Sequence, residues 1–286
     1  MSAIQQMIDE MQRRGYARKT IEEYSGSVRR LGTYFGRCPS ELTLEQVREY
    51  QVHLAKRKEI STSYYNATVT ALRFLYLQTL GRDWSIERLP YARREHPLPV
   101  VLSRQEVFQL WRRLREPKRR LLLMTAYSAG LRSFELVHLR VEDLNPEQMQ
   151  IHVQSSGRKL DDMNPRFVPY SPTLAKQLAP YLAKHDSPWL FPGSSKDRPL
   201  TPSAARNICV HAALLARIAK TVTISVLRHS AAVHWLELGV DLRTLQKVLG
   251  HGRLSTTLRY MQLTYRQQSH VHPLDLLPPP AEREES

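Results

Sequence analysis

Apolar residues in the first eighty positions recur with the period of a helix. Ile21, Tyr24, Val28, Leu31 and Phe35 follow one another at steps of three or four, which places them on one helical face. Gly36 then reads as the stop. Leu44, Val47, Tyr50 and Leu54 repeat the pattern behind Thr43 and Gln46, spaced as a capping box. A third helix is predicted over residues 61–78, with Tyr65, Val69, Leu72 and Leu75 or Tyr76 inward. A helix with one apolar stripe must bury it against a partner, so these pieces predict a small bundle.

The pattern breaks over residues 81–102, where Gly81, Pro90, Pro97 and Pro99 stand among charged residues. Proline fixes an extended path and stops helices, so this stretch reads as an interdomain linker. Two domains follow: a helical one over 1–95 and a second over 96–286. Ser103 and Glu106 predict a capped helix carrying Val107, Leu110, Trp111 and Leu114 inward. Pro117 suits a first turn, and Leu121, Leu122, Met124 and Thr125 open a buried helix that Gly130 interrupts. Residues 149–153 and 166–170 have strand character, joined by a polar turn. Thr201 and Pro202 open another helix, 226–238 forms one ending at Gly239, and a short helix capped near Asp241 precedes Gly250. The tail beyond Pro273, with its proline run and acidic end, reads as unpacked. The fold class is therefore mainly helical, with a small antiparallel sheet in the second domain.

Charge narrows the partner. The 286 residues carry 42 basic and 27 acidic side chains, a net +15. Up to residue 95 sixteen basic residues face eleven acidic ones, and beyond it twenty-six face sixteen. Both parts are basic, which favours nucleic acid. No apolar run reaches the roughly 18 residues needed to span a membrane, and the start lacks a signal-peptide pattern. Cys38 and Cys209 are expected to be free thiols. No phosphate loop, dinucleotide fingerprint or zinc spacing appears, so neither cofactor nor metal is expected.

The informative chemistry lies in TAYSAGLRSFELVHLRVEDL (125–144) and VLRHSAAVHWLELGVDLRTLQKVLGHGRLSTTLRYMQL (226–263). In order and spacing they resemble the two signature boxes of the tyrosine recombinases, the phage-integrase and Xer-like family. Residues 1 to about 95 resemble that family's helical core-binding domain. The resemblance implies that Arg132, after Ala129, Gly130 and Leu131, binds a phosphate oxygen, with Glu135 as its buttress. Arg228 in VLRHS is the implied second arm of the clamp. Two guanidiniums suit this task because each presents a rigid, permanently charged fork. His251 in LGHG is the implied hydrogen-bond donor to the phosphate, and Tyr260, nine residues later, the nucleophile. The general acid of the family is a hairpin lysine. Lys159 is its counterpart here, before the returning Arg166, Val168 and Pro169.

One position departs from the family pattern. Ser225 stands three residues before Arg228, where a histidine is usual. A hydroxyl can still hydrogen-bond but has no titratable ring. His229 reads as a hydrogen-bonded core histidine, with rescue of the missing ring by His229 as the alternative. The implied reaction is cleavage and rejoining of double-stranded DNA through a 3′-phosphotyrosyl link, by a homo-oligomer, a tetramer on two sites, in the cytoplasm with the nucleoid. The apolar positions Val271, Leu274, Leu276 and Leu277 are candidates for an element exchanged between subunits. Three rivals stand beside this reading: a topoisomerase-like strand breaker, a catalytically impaired DNA-binding accessory protein supported by Ser225, and an RNA-binding basic protein.

Overall fold

The computed structural model describes residues 2–57, 59–93, 97–154 and 165–267, with the side chains of Ile86 and of residues 265–267 excepted. The chain divides into two compact units, Met1–Pro97 and Leu98–Ser286.

The first unit is the helical bundle that the periodicity predicts. Its helices are α1 (Ala3–Arg13), α2 (Arg18–Phe35), α3 (Leu44–Lys56) and α4 (Thr62–Arg73). Helix α1 was not singled out by the sequence reading; Met7 and Met11 bury its stripe, and the Ser2 hydroxyl accepts from the Gln5 amide at 3.2 Å. Gly36 closes α2 in the left-handed region at φ 61°, where a side chain would be strained. Thr43 and Gln46 form the expected reciprocal cap, at 3.3 and 3.0 Å. The third predicted helix is α4 continued by a π-helical turn, Phe74–Thr79, in which the Leu80 amide reaches back to the Leu75 carbonyl. Val28, Leu31, Val47, Val69, Leu72, Leu75 and Tyr76 fill the core.

The proline-rich stretch is less of a linker than expected. Asn66 binds Ala92 twice, donating to its carbonyl at 3.0 Å and accepting from its amide at 2.8 Å. Arg73 donates to the Leu89 carbonyl, and the Leu89 side chain is buried. An extended backbone laid on a bundle cannot pair with itself, so side chains of α3 and α4 supply its partners.

The second unit contains α5 (Arg104–Arg112), α6 (Pro117–Ser128), α7 (Ser133–Val137), α8 (Pro172–Leu182), α9 (Pro202–Ala216), α10 (Ile224–Glu237), α11 (Leu242–Leu249) and α12 (Leu254–Gln267). Between α7 and α8 lies an antiparallel sheet of order β1 (Leu144–Asn145), β2 (Gln150–Val153) and β3 (Arg166–Pro169), with Ile151 opposite Val168. Helix α6 buries residues 121–126, and α10 buries Ile224, Val226, Leu227, Arg228 and residues 230–234, so both are enclosed on most sides. Helix α10 begins two residues earlier than predicted, because the Thr223 hydroxyl caps it by accepting from Val226. Asp241 caps α11, accepting from Arg243 and Thr244 at 3.0 Å. Cys38 and Cys209 are free. Lys159 and the tail positions Val271, Leu274, Leu276 and Leu277 lie outside the described residues.

Candidate functional site

Three chain turns of the second unit converge on one buried carboxylate. Arg132 precedes α7, and three residues on, Glu135 turns back along the first turn of that helix. The Glu135 carboxylate accepts the Arg132 amide at 2.8 Å and the Arg132 guanidinium at 3.0 Å. From β3, Arg166 donates to both carboxylate oxygens at 2.9 Å, the bidentate geometry that a guanidinium favours. From α10, Arg228 comes to 3.8 Å. Glu135 is almost wholly buried. Burial alone would raise its pKa, but the Arg166 hydrogen bonds and charge, the Arg132 amide and Arg228 outweigh it and hold the carboxyl at about 2. Glu135 is therefore an anion that keeps three cations together.

Main-chain carbonyls complete the support. Arg228 donates to Gly130 O at 2.8 Å and to Leu249 O at 2.6 Å. Arg132 reaches Gly250 O at 2.9 Å, and Arg166 reaches Val248 O at 2.8 Å. Those three carbonyls at the end of α11 carry the negative pole of the helix and suit guanidiniums. Gly130 and Gly250 are both left-handed, at φ 56° and 63°. A Cβ on Gly250 would lie 3.0 Å from the Arg166 guanidinium, and one on Gly130 would lie 3.0 Å from Leu249. Both glycines are thus required by backbone conformation and by close approach.

The two proposed clamp arginines differ in exposure. The Arg132 side chain is 28% exposed and that of Arg228 only 5%. Burial, then the neighbouring Arg132 charge, lowers the Arg228 pKa to about 10. Arg228 remains charged at neutral pH beneath Arg132, and of the two guanidiniums Arg132 is the more accessible. A guanidinium has five N–H donors, and Arg228 spends two of them on carbonyls. The pair can therefore still bind an anion.

Tyr260 lies on α12 and is 3% exposed. Its hydroxyl is 2.8 Å from His229 Nδ1. The His251 ring lies on it at 6.2 Å, nearly parallel, with His251 Nδ1 2.9 Å from the buried Thr257 hydroxyl. Burial raises the Tyr260 pKa, and Arg228, Arg259 and Arg132 offset only part of that. The sequence reading expected the arginines to favour the phenolate. Without bound phosphate, burial wins and the phenol keeps its proton. His229 moves the other way: burial, then Arg228 and Arg259, lowers it to about 4, so the ring is neutral.

The structure thus brings Arg132, Glu135, Arg228, His229, His251 and Tyr260 into one region. Ser225 is exposed, and its side chain hydrogen-bonds to no described residue. Two contributors escaped the sequence reading. Arg166 was read only as part of a returning strand, although its basic side chain beside an alternating strand was a usable signal. Arg259 precedes Tyr260 and acts on both it and His229.

Comparison with known proteins identifies the family. Residues 101–267 match the phage integrase family, and residues 4–86 match the phage integrase N-terminal SAM-like domain. A Sinorhizobium fredii protein with the provisional name integrase/recombinase y4qK is 36% identical over 97% of this chain and 90% of its own. The tyrosine recombinase XerA of Pyrococcus horikoshii is 34% identical over 70% of this chain and 69% of its own. Among solved structures, the XerH site-specific recombinase in a post-cleavage complex with its difH substrate matches with a TM-score of 0.73 and 17% identity. That match covers 89% of this chain and 79% of the other, and it shows a shared fold.

Proposed function

The chain belongs to the phage integrase family and is a tyrosine-type site-specific recombinase, and from that premise we propose which residues carry the reaction. Tyr260 attacks the scissile phosphate of duplex DNA and forms a 3′-phosphotyrosyl link, releasing a 5′ hydroxyl. Arg132 and Arg228 hold the nonbridging oxygens as charge grows on them. His251 donates a further hydrogen bond, and Lys159 protonates the leaving oxygen. A 5′ hydroxyl from the partner strand then reverses the step. The phosphodiester bond is conserved in the covalent link, so no nucleotide is consumed.

One observation carries this reading: the Tyr260 hydroxyl is 2.8 Å from His229, the neighbour in sequence of Arg228, which shares the Glu135 carboxylate with Arg132. The net +15 and the DNA-bound relatives of the same fold support duplex DNA as the partner. A tetramer on two sites, a cytoplasmic location with the nucleoid, and the domain limits 1–95 and 96–286 belong to the same proposal. No helix among the described residues is long and apolar enough to cross a membrane.

The test is covalent trapping on a nicked duplex, followed by peptide mapping. Wild type should carry the strand on Tyr260, and Tyr260→Phe should bind DNA without any adduct. An adduct on Tyr265 would refute the assignment. The exposed Ser225 keeps one rival in view, a DNA-binding accessory protein, which would bind and never form an adduct. A topoisomerase-like breaker would form the adduct without exchanging two sites.

A further inference from the structure

The hydroxyl of the proposed nucleophile is already engaged. Tyr260 Oη lies 2.8 Å from His229 Nδ1, with the ring centroids 5.7 Å apart. His229 follows Arg228 directly on α10, so the same helix holds one arm of the clamp and the imidazole. We propose that His229 Nδ1 is the proton acceptor for Tyr260 during attack, taking a role that the serine at position 225 has no group to perform. The inference rests on the reading of Tyr260 as nucleophile.

The pair rests as phenol and neutral imidazole, so one proton is there to be passed. The phenol keeps its proton because it is buried, and His229 is neutral because it is half-buried beside Arg228 and Arg259. The proposal requires the tautomer with its proton on Nε2, in which Tyr260 donates and Nδ1 offers its lone pair. The charged and titratable groups around the ring are Arg228 on its own helix, and Arg259 and Tyr260 on α12; His251 lies on the Tyr260 ring and has its Nδ1 at Thr257. Of the two cations that add to burial in making His229 a weak base, Arg228 and Arg259, the first is also an arm of the clamp. When a phosphodiester anion settles against the clamp, the field of Arg228 at the imidazole is offset and its basicity rises. Proton acceptance is thereby coupled to substrate arrival.

The step balances. A lone pair of Tyr260 Oη forms the bond to phosphorus as the phenolic proton passes to Nδ1, giving an imidazolium. The bond from phosphorus to the 5′ oxygen breaks, its electron pair stays on that oxygen, and Lys159 supplies the proton. On rejoining, the imidazolium returns its proton to the departing phenolate.

The experiment uses the full chain and a nicked duplex selected from a randomised pool by binding to the wild type. Single-turnover adduct formation is compared at matched occupancy for wild type, His229→Asn and His229→Ala. Asparagine retains a hydrogen-bond acceptor near the Nδ1 position but cannot take up a proton at neutral pH. Both variants should bind DNA normally and lose on the order of 10²-fold or more in rate, and added imidazole should restore part of the activity of His229→Ala. A His229→Asn rate within about threefold of wild type would overturn the inference while leaving Tyr260 as nucleophile, since general-base loss is expected to cost far more. No adduct from wild type on a bound duplex would instead remove the Tyr260 reading, and this inference with it. If the variants do not fold, ¹⁵N NMR of wild type and Tyr260→Phe without DNA decides: Nδ1 should be unprotonated and should shift when the phenol is lost. A protonated Nδ1 would overturn the inference.

Discussion

The two units bury different things. The core of the first is apolar, and its buried polar side chains, Asn66, Gln51, Thr68, Ser25 and Ser27, are neutral. Asn66 satisfies both ends of its amide on Ala92. The second unit buries Glu135 and Arg228 and packs Arg166 and Arg132 around them. Desolvating charges is expensive, and a buried ion pair is often no better for stability than apolar packing. A unit that only had to fold would do well with the first solution. Under the proposed function, the second fixes the guanidiniums before an anion arrives.

That contrast can be broken most forcefully at Glu135. Glu135→Gln leaves three guanidiniums around a neutral amide and should cost roughly 3–5 kcal/mol of stability. In the first unit, Asn66→Ala should cost about 1–3 kcal/mol, the price of two unpaired backbone groups. Thermal and denaturant unfolding of the full chain would measure both. Equal effects would mean that the charge cluster is not under the electrostatic constraint described here.

The clamp separates function from packing. Arg132→Ala should lower cleavage by roughly 10²–10³-fold with a modest stability loss, because Arg132 is partly exposed. Arg228→Ala should lose cleavage and stability together, because Arg228 is buried on two carbonyls. Lysine at position 132 should restore only part of the rate, since it lacks the fork. Trapping rates beside unfolding curves would check this.

Acid should weaken the second unit first. His229 titrates near 4 in the folded protein and near 6.5 when unfolded. Between those values the unfolded chain binds the extra proton, so stability present above about 6.5 is lost as pH falls towards 4. Glu135 adds a second loss from about 4.5 down to about 2. Hydrogen exchange of the full chain from pH 7 to 4, corrected for intrinsic rates, should show α10 and α12 losing protection before α2 and α4. The reverse order would contradict the assignment.

The smallest effect is expected at Ser225. It is exposed and its side chain is bonded to no described residue, so Ser225→Ala should change stability by less than about 0.5 kcal/mol. Its cleavage cost should be on the order of one hydrogen bond, roughly 0.5–1.5 kcal/mol, measured by single-turnover trapping.

Much of this molecule is legible in local signals. The stripe Ile21 to Phe35, the boxes at Thr43/Gln46 and Ser103/Glu106, and the stop at Gly36 depend on residues within one or two turns, and the structure realises each of them. Arg132, Arg228, His251 and Tyr260 were legible because their order and spacing form a motif. Helix α1 carried a signal too, in Ile4, Met7 and Met11, though a short one. The boundary between the units falls within the proline-rich stretch, but the docking of Leu89 and Ala92 on the bundle was not legible, because their partners, Arg73 and Asn66, lie 16 and 26 residues away.

What the sequence alone determined, then, is where the capped or amphipathic helices α2 to α6 and α9 to α11 lie, and which side chains its family resemblance proposes for phosphoryl transfer, since both depend on residue type and near spacing. Only the tertiary structure decided that Arg166 grips Glu135 from 31 positions away, that the end of α11 supplies carbonyls to three arginines, and that His229 rather than Ser225 meets the Tyr260 hydroxyl. Those contacts join segments through packing, and their strengths depend on burial, because a charge or a phenol acquires its working pKa only from the groups that fold around it.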